Sequence, residues 1–177
     1  SDHESIAGAI RYGEALALAV ELLGREGNEI AGIKSVHRQL MTPKERGVRA
    51  QQSPGIERLG EFRRTQIWRG STRPERAPFV PPPAEMVAGS MNQLFGFLKA
   101  DTSLHPLIKT AICYAHIENI QPFYDANARI ARIMTNTLLV RYGLLHRPCL
   151  YVSKYLRDRS SRCTDLLQRV RTQGDFE

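Results

Sequence analysis

No apolar run in this sequence reaches the ~18 residues that a bilayer-crossing helix needs, so no membrane span is expected. The opening Ser1-Asp2-His3-Glu4-Ser5 has no basic segment followed by an apolar one, which excludes a signal peptide there. Cysteine is scarce. Cys113, Cys149 and Cys163 contain no CxxC pair and are odd in number, so reduced thiols in a cytoplasmic setting are expected and a cysteine metal site is not. Acidic groups are the minority: 25 Lys and Arg face 18 Asp and Glu, for a net charge of +7. Such a balance suits a polyanionic partner, whether nucleotide, nucleic acid or acidic surface. Most of the arginines, at 58, 63, 64, 69, 73 and 76 and again at 157, 159, 162, 169 and 171, read as a solvated face. At 42% apolar and 24% charged, the 177 residues fit one globular domain, 1–177, with a core of its own.

Helical periodicity dominates. Ile6 to Leu23 repeats apolar residues at helical spacing and stops at Gly24 and Gly27; Ile30 to Met41 is a second helix with Ile33, Val36 and Leu40 on one side. Thr42 to Pro82 is rich in proline and glycine and reads as loop. Two β-prone pieces within it, Arg64 to Trp68 and Ala77 to Val80, flank Gly70-Ser71-Thr72-Arg73-Pro74 and predict a small hairpin. Met86 to Leu98 is amphipathic. A helix opened by His105-Pro106 is apolar on more than one side until Pro122 ends it, and Ala126 to Tyr142 follows with a broad apolar surface. Leu150 to Leu156 and Thr164 to Val170 close the chain. The class is mainly α, a bundle around two central helices joined by a short polar turn.

That turn carries the chemistry. Asp125-Ala126-Asn127-Ala128-Arg129 begins a helix, where amides are unpaired and the dipole favours anions. Ala126 and Ala128 let the backbone approach a ligand. Arg129 and Arg132, three apart, emerge near the same side of the first turn. Free amides, two guanidiniums and a carboxylate able to hold Mg²⁺ beside phosphates make an anion site. The blander alternative is an N-capping aspartate followed by two surface arginines.

The segment Gln121-Pro122-Phe123-Tyr124-Asp125-Ala126-Asn127-Ala128-Arg129-Ile130-Ala131-Arg132 resembles the Fic family signature, with Pro122, Phe123, Asp125, Asn127, Arg129 and Arg132 in register. Gly60-Glu61-Phe62-Arg63 with Thr65-Gln66-Ile67-Trp68 is similar to the entry of that family's flap, and Phe79-Val80-Pro81-Pro82-Pro83 to its exit. Leu104 to Ile108, Leu150 to Tyr155 and Leu166 to Arg171 resemble its flanking segments. The resemblance implies a Fic-type helical bundle with a β-hairpin flap at about 60–82, a signature loop at 121–132, and transfer of AMP from ATP to a target hydroxyl. By position it implies Asp125 as Mg²⁺ ligand, the backbone of 126–128 with Asn127 as the phosphate cradle, Arg129 and Arg132 as phosphate clamps, and Tyr155 lining the nucleotide pocket. Arg64, Thr65, Gln66, Ile67 and Trp68 would dock a target protein as an added strand.

The departures are as informative as the matches. Gln121 stands where the family's catalytic histidine is expected. An amide has no basic site that titrates near neutral pH, and losing a general base costs ~10²–10⁴-fold. His116 cannot substitute, since it lies ~140° around the helix from Gln121 and reads as a core residue. His105 and His146 read as capping or surface groups, and the place of His37 in space is open. Ala128 replaces a usual glycine and would be strained if its φ were positive; Ala131 replaces another. Arg69 stands where the flap often has an apolar residue. No Ser/Thr followed four residues later by Glu and then Gly or Asn is found, so the family's self-inhibitory motif has no match.

Three readings follow. The first is a nucleotide-binding pseudoenzyme of the protein adenylyltransferase family, with ATP and Mg²⁺ as ligands. The second is an active nucleotidyl or phosphoryl transferase with non-histidine chemistry. The third is a non-enzymatic module for protein or nucleic acid; nucleic acid is the weaker partner, because no aromatic platform or basic recognition helix stands out.

Overall fold

The computed structural model describes residues 2–24, 27–41, 59–100 and 102–175. Seven helices follow in order among these: α1 (Asp2–Leu23), α2 (Glu29–Leu40), α3 (Val87–Lys99), α4 (Pro106–Ile120), α5 (Asn127–Arg141), α6 (Val152–Asp158) and α7 (Ser160–Gln173). Their limits trace to local chemistry. The Asn28 side chain accepts the Ala31 N–H at 3.1 Å and starts α2. His105 Nδ1 takes the Leu107 N–H at 3.2 Å, with Pro106 in the first turn of α4, so His105 is a cap as its position suggested. Gly143 at φ +72 follows α5, and Gly174 at φ +64 ends α7.

The long α4 and α5 lie against each other at the centre, α1 covers α2 and α5, and α3 packs on α4. Ile117 of α4 and Ile130, Ile133, Met134 and Leu138 of α5 are buried between them. Each contributes roughly 1.5–3 kcal/mol of hydrophobic stabilisation. Lys109 is buried as well, with its ammonium on the carbonyls of Leu98 (3.1 Å) and Ala100 (2.8 Å), a cation at the C-terminal end of α3. The last two helices bury no residue fully; α7 leans on α4.

Two expectations are corrected. The hairpin shrinks to a single antiparallel bridge between Arg69 and Phe79, with a 3₁₀ turn at Pro74–Arg76 between them. Pro74, Pro78, Pro81, Pro82 and Pro83 have no N–H to give a ladder, so two strands cannot zip. His116 is exposed on α4 and is not a core residue. The expected loop at 42–58, with Arg58, lies outside the described residues, as does Ser1.

Arg63 also departs from the solvated face assigned to it. It is among the largest fully buried side chains. Its Nε donates to the Gln121 carbonyl at 2.8 Å, and Nη2 to the carbonyls of Ile120 (3.2 Å) and Pro82; Nη1 reaches the Thr65 carbonyl at 3.4 Å. Its backbone N–H donates to the Pro122 carbonyl at 2.9 Å. One guanidinium thus ties both ends of the flap to the turn after α4. Replacing Arg63 by Met leaves buried carbonyls without donors, each worth ~1–3 kcal/mol. Urea unfolding should show a loss of at least ~3 kcal/mol. Arg64→Met, at an exposed neighbour, should stay within ~0.5 kcal/mol.

Candidate functional site

The turn between α4 and α5 is built on two left-handed residues, neither of them glycine. Gln121 has φ +48 and Ala126 φ +62. Each such conformation costs of order 1–3 kcal/mol and persists where its surroundings impose it. The strain expected at Ala128 therefore sits at Ala126; Ala128 is helical, within α5. Around Gln121, the backbone N–H closes α4 on the Ile117 carbonyl at 2.9 Å while Arg63 holds the carbonyl. Around Ala126, the Asp125 carboxylate accepts the N–H at 2.7 Å.

Asn127 closes the turn from inside. Its Oδ1 accepts the Phe123 N–H at 2.9 Å, and its Nδ2 donates to the Phe123 carbonyl at 2.7 Å and to Gln121 Oε1 at 3.1 Å. It is 1% exposed, so its side chain is a clamp on the loop and is not open to a ligand. The helix start beside it is different. No side chain caps α5, and its first amides belong to residues that line an open cleft.

That cleft has a volume of about 450 Å³. Arg69, Gly70, Pro78 and Phe79 come from the flap, Glu118 and Gln121 from the end of α4, Asp125 to Arg129 from the turn, and Thr164, Leu167, Gln168 and Arg171 from α7. Of the residues singled out from sequence, Gln121, Asp125, Ala126, Asn127, Ala128 and Arg129 are brought together here. Arg132 lies one turn deeper. Its Nε is buried without a hydrogen-bond partner, and its charge opposes the upward push that burial gives the Glu118 and Tyr114 pKa values. Tyr155 is not in the cleft lining; it is 58% exposed, with the Arg159 guanidinium 4.1 Å above its ring. On the flap, Arg64, Thr65, Gln66 and Trp68 are exposed and Ile67 is half-buried. The Tyr124 hydroxyl accepts the Arg64 N–H at 2.9 Å and pairs with Thr65 Oγ1 at 3.2 Å, while Gln66 Nε2 donates to the Pro81 carbonyl at 2.9 Å.

Four contributors escaped the sequence reading. Arg69, grouped with the solvated arginines, donates from Nε and Nη2 to Gln121 Oε1 at 3.1 and 2.8 Å. Glu118 accepts from Gln121 Nε2, and its carboxyl pKa is raised by burial against the pull of Arg132, Arg171 and Arg69. Arg171 stacks 3.6 Å over Phe79 and bonds Asn119 Oδ1 at 2.8 Å, fixing the flap to α7. His37 stacks flat on Phe123, centroids 3.9 Å apart, and its Nδ1 accepts the N–H of Gly60 at 3.1 Å. Gly60 needs its missing Cβ: its φ is +81, and a Cβ would lie 2.6 Å from the Lys34 carbonyl. The one hint in the sequence was Arg69 standing where the flap often has an apolar residue.

A grouping of three or more His, Cys, Asp or Glu able to hold a metal is absent among the described residues. One carboxylate, Asp125, is enough for Mg²⁺ that arrives with phosphates, since this ion keeps several waters and takes one or two protein carboxylates. Cys113, Cys149 and Cys163 are free; burial pushes the Cys113 thiol up to about 12.

Fold and site together define a helical domain whose central turn, overlying flap and last helix line an open cleft of about 450 Å³. A family model described as the Fic/DOC family matches residues 29–139, and the chain belongs to that family. It is 36% identical over 119 residues to the protein adenylyltransferase Fic of Culex quinquefasciatus, covering 66% of this chain and 21% of that protein. Its counterpart in Drosophila grimshawi is 37% identical over 86 residues, 48% of this chain and 16% of that protein. Among solved structures, a Fic family protein from Desulfovibrio desulfuricans G20 superposes with a TM-score of 0.71 at 27% identity, covering 94% of this chain and 46% of that one. A Fic domain containing signaling protein from Bacteroides thetaiotaomicron VPI-5482, at 20% identity and a TM-score of 0.58, shares the fold over 77% of this chain and 48% of its own. The chain thus spans 16–21% of these curated relatives and under half of the solved ones. No helix among the described residues is long and apolar enough to cross a membrane.

His37 gives this site a pH signature. Burial drives its pKa from 6.5 down to about 4, so the folded chain keeps it neutral where the unfolded chain is already protonated. Stability therefore carries no His37 penalty above pH 6.5, falls as pH drops from 6.5 to 4, and levels off below that at a loss of ~3 kcal/mol. Glu29 and Glu61, with lowered pKa values, add losses only below their ordinary 4.5, and Glu118, raised, acts in the opposite sense. Urea unfolding at pH 7.5 and pH 5 should show a loss from which His37→Phe removes about 2 kcal/mol, Phe keeping the stack on Phe123, while the part from His116, whose pKa burial also lowers, stays. Equal losses in the two proteins would contradict the assignment.

Proposed function

We propose that this chain is a protein adenylyltransferase-like domain that binds Mg²⁺-ATP on the turn and first helical residues of α5, and that it transfers AMP to hydroxyl groups poorly. One observation carries the second half. The group at the reacting position is an amide with both ends engaged, Oε1 on Arg69 and Asn127 and Nε2 on Glu118. Transfer to a hydroxyl forms a bond from its oxygen to the α-phosphorus, breaks the bond to the pyrophosphate and must deliver the hydroxyl proton somewhere. Gln121 has no basic site for it.

Support for ATP binding comes from the uncapped start of α5, the charge of Arg129, and the orphaned Nε of Arg132 one turn below. Asp125 would hold Mg²⁺, which supplies charge neutralisation of the phosphates when bound. The backbone at 126–128 would face the α-phosphate, with Asn127 holding that backbone in place. Residues 64–68 of the flap would receive a target protein. Adenylyltransferase names among the relatives favour this activity over a bare interaction module. Free thiols fit a cytoplasmic setting. A second reading has one observation in its favour: Glu118, with a raised pKa and bonded to Gln121 Nε2 at 3.1 Å, is a carboxylate base close to the missing one.

Two measurements test the proposal. Calorimetric titration should show Mg²⁺-ATP binding at or below millimolar concentration, weakened at least ~10-fold in Arg129→Ala, as befits loss of a charge-assisted phosphate contact. No binding at millimolar nucleotide would sink it. Radiolabelled ATP with a cell lysate should label hydroxyl targets ~10²-fold or more faster for Gln121→His than for the parent chain. Equal labelling by both would defeat the impaired-transfer half.

A further inference from the structure

The reacting position lacks a base and holds a cation in its place. Arg69 sits on the flap with two of its nitrogens within 3.1 Å of Gln121 Oε1. The flap is fixed there by the Arg69 N–H on the Phe79 carbonyl at 2.9 Å and by Arg171 stacked on the Phe79 ring. A neutral hydroxyl entering the cleft beside Gln121 meets nothing in that amide that takes a proton. What it meets is a guanidinium hydrogen-bonded to an uncharged oxygen, with the Glu118 carboxyl on the far side of that amide as the nearby group of opposite charge. A guanidinium fork fits a carboxylate or phosphate with two parallel bonds and adds an attraction between opposite charges that an amide oxygen does not offer. An anionic oxygen therefore outcompetes the Gln121 amide for Arg69.

We propose that the acceptor served by this site is an oxygen that is already anionic, on a phosphate monoester or a carboxylate, docked by Arg69 beside Gln121. The proposal rests on the reading of the α5 loop as the ATP site. Its chemistry balances without a base. The anionic oxygen forms a bond to the α-phosphorus of ATP, the bond from that phosphorus to the pyrophosphate oxygen breaks, and pyrophosphate leaves with the electron pair; no proton is removed. An anion approaching a bound triphosphate is repelled, and a cation at the point of approach is what offsets that repulsion. Arg69 supplies it, with Arg171 further along the same cleft. The two unexpected residues, Gln121 and Arg69, then belong to one device, in which loss of the base and gain of the cation change the acceptor class together.

The test runs three arms on the same chain with Mg²⁺-ATP, after calorimetry on that sample has measured nucleotide binding. In the first arm radiolabelled inorganic phosphate is the acceptor, and labelled ADP and pyrophosphate are read. In the second a glutamate-containing peptide is the acceptor with hydroxylamine present, which traps the mixed anhydride as hydroxamate and releases AMP. In the third a Ser/Thr/Tyr peptide is offered with α-labelled ATP. The phosphate or carboxylate arm should exceed the hydroxyl arm at least ~10-fold, and whichever of the two responds identifies the source of the anion. Arg69→Leu should lower that transfer ~10²-fold, the cost typical of losing one preorganised donor, while Arg69→Lys retains part of it. Dominance of the hydroxyl arm overturns the proposal, and its loss in Glu118→Gln would then point to that carboxylate as base. Undiminished transfer by Arg69→Leu, or no transfer in any arm by a chain that binds nucleotide, overturns it as well. Absence of nucleotide binding is a separate result and removes the ATP reading itself, taking this proposal with it.

Discussion

A single buried guanidinium organises this molecule. Burying a charge is costly unless its hydrogen-bonding capacity is met, and Arg63 meets it with carbonyls at the two ends of the flap and at the end of α4. Those carbonyls are oriented by the guanidinium in turn, so the flap and the turn after α4 cannot shift independently. The left-handed Gln121 follows from this arrangement. Its carbonyl must face Arg63 while its N–H closes α4, and positive φ with Pro122 next in the chain achieves both.

The rest of the site is layered on that anchor. His37 and Phe62 pack on Phe123, which seats the turn against α2, and Asn127 stitches the turn to the start of α5. The polar groups of the turn are spent on its own shape, leaving the helix start and the arginines as what remains to offer an anion. This division explains how the loop tolerates Ala126 in a conformation that favours glycine. Strain of order 1–3 kcal/mol is small beside the buried bonds that impose it. It also explains why the Gln121 amide is rigid, with hydrogen bonds to Arg69, Asn127 and Glu118 at once.

Helices were legible in the sequence because their signals are local. Apolar spacing, Gly24, His105-Pro106 and Pro122 all act within a turn of where they stand. The position of the turn between α4 and α5 was legible for the same reason, since Pro122 stops one apolar helix and a second begins a few residues later. The roles of Arg63, Arg69 and His37 were not. Each is decided by partners distant in sequence, Gly60 and Phe123 for His37, Ile120 and Gln121 for Arg63 and Gln121 for Arg69, and nothing about an arginine in a loop tells whether carbonyls or water will surround it. The hairpin was over-read for a related reason, as β-prone side chains do not reveal that the prolines opposite them have no N–H to give. Asn127 was expected to face a ligand, while its amide is bonded to Phe123 and Gln121 within the turn.

The central claim is that the phosphate-binding half of this site is intact while its reacting position is an immobilised amide. A crystal structure grown with Mg²⁺ and a non-hydrolysable ATP analogue tests both halves at once. The account predicts α-phosphate oxygens within hydrogen-bond reach of the backbone amides at the start of α5, with Gln121 still bonded to Asn127 and Glu118. An analogue seated away from that helix start, or one that binds only by displacing Gln121 from those partners, would contradict it.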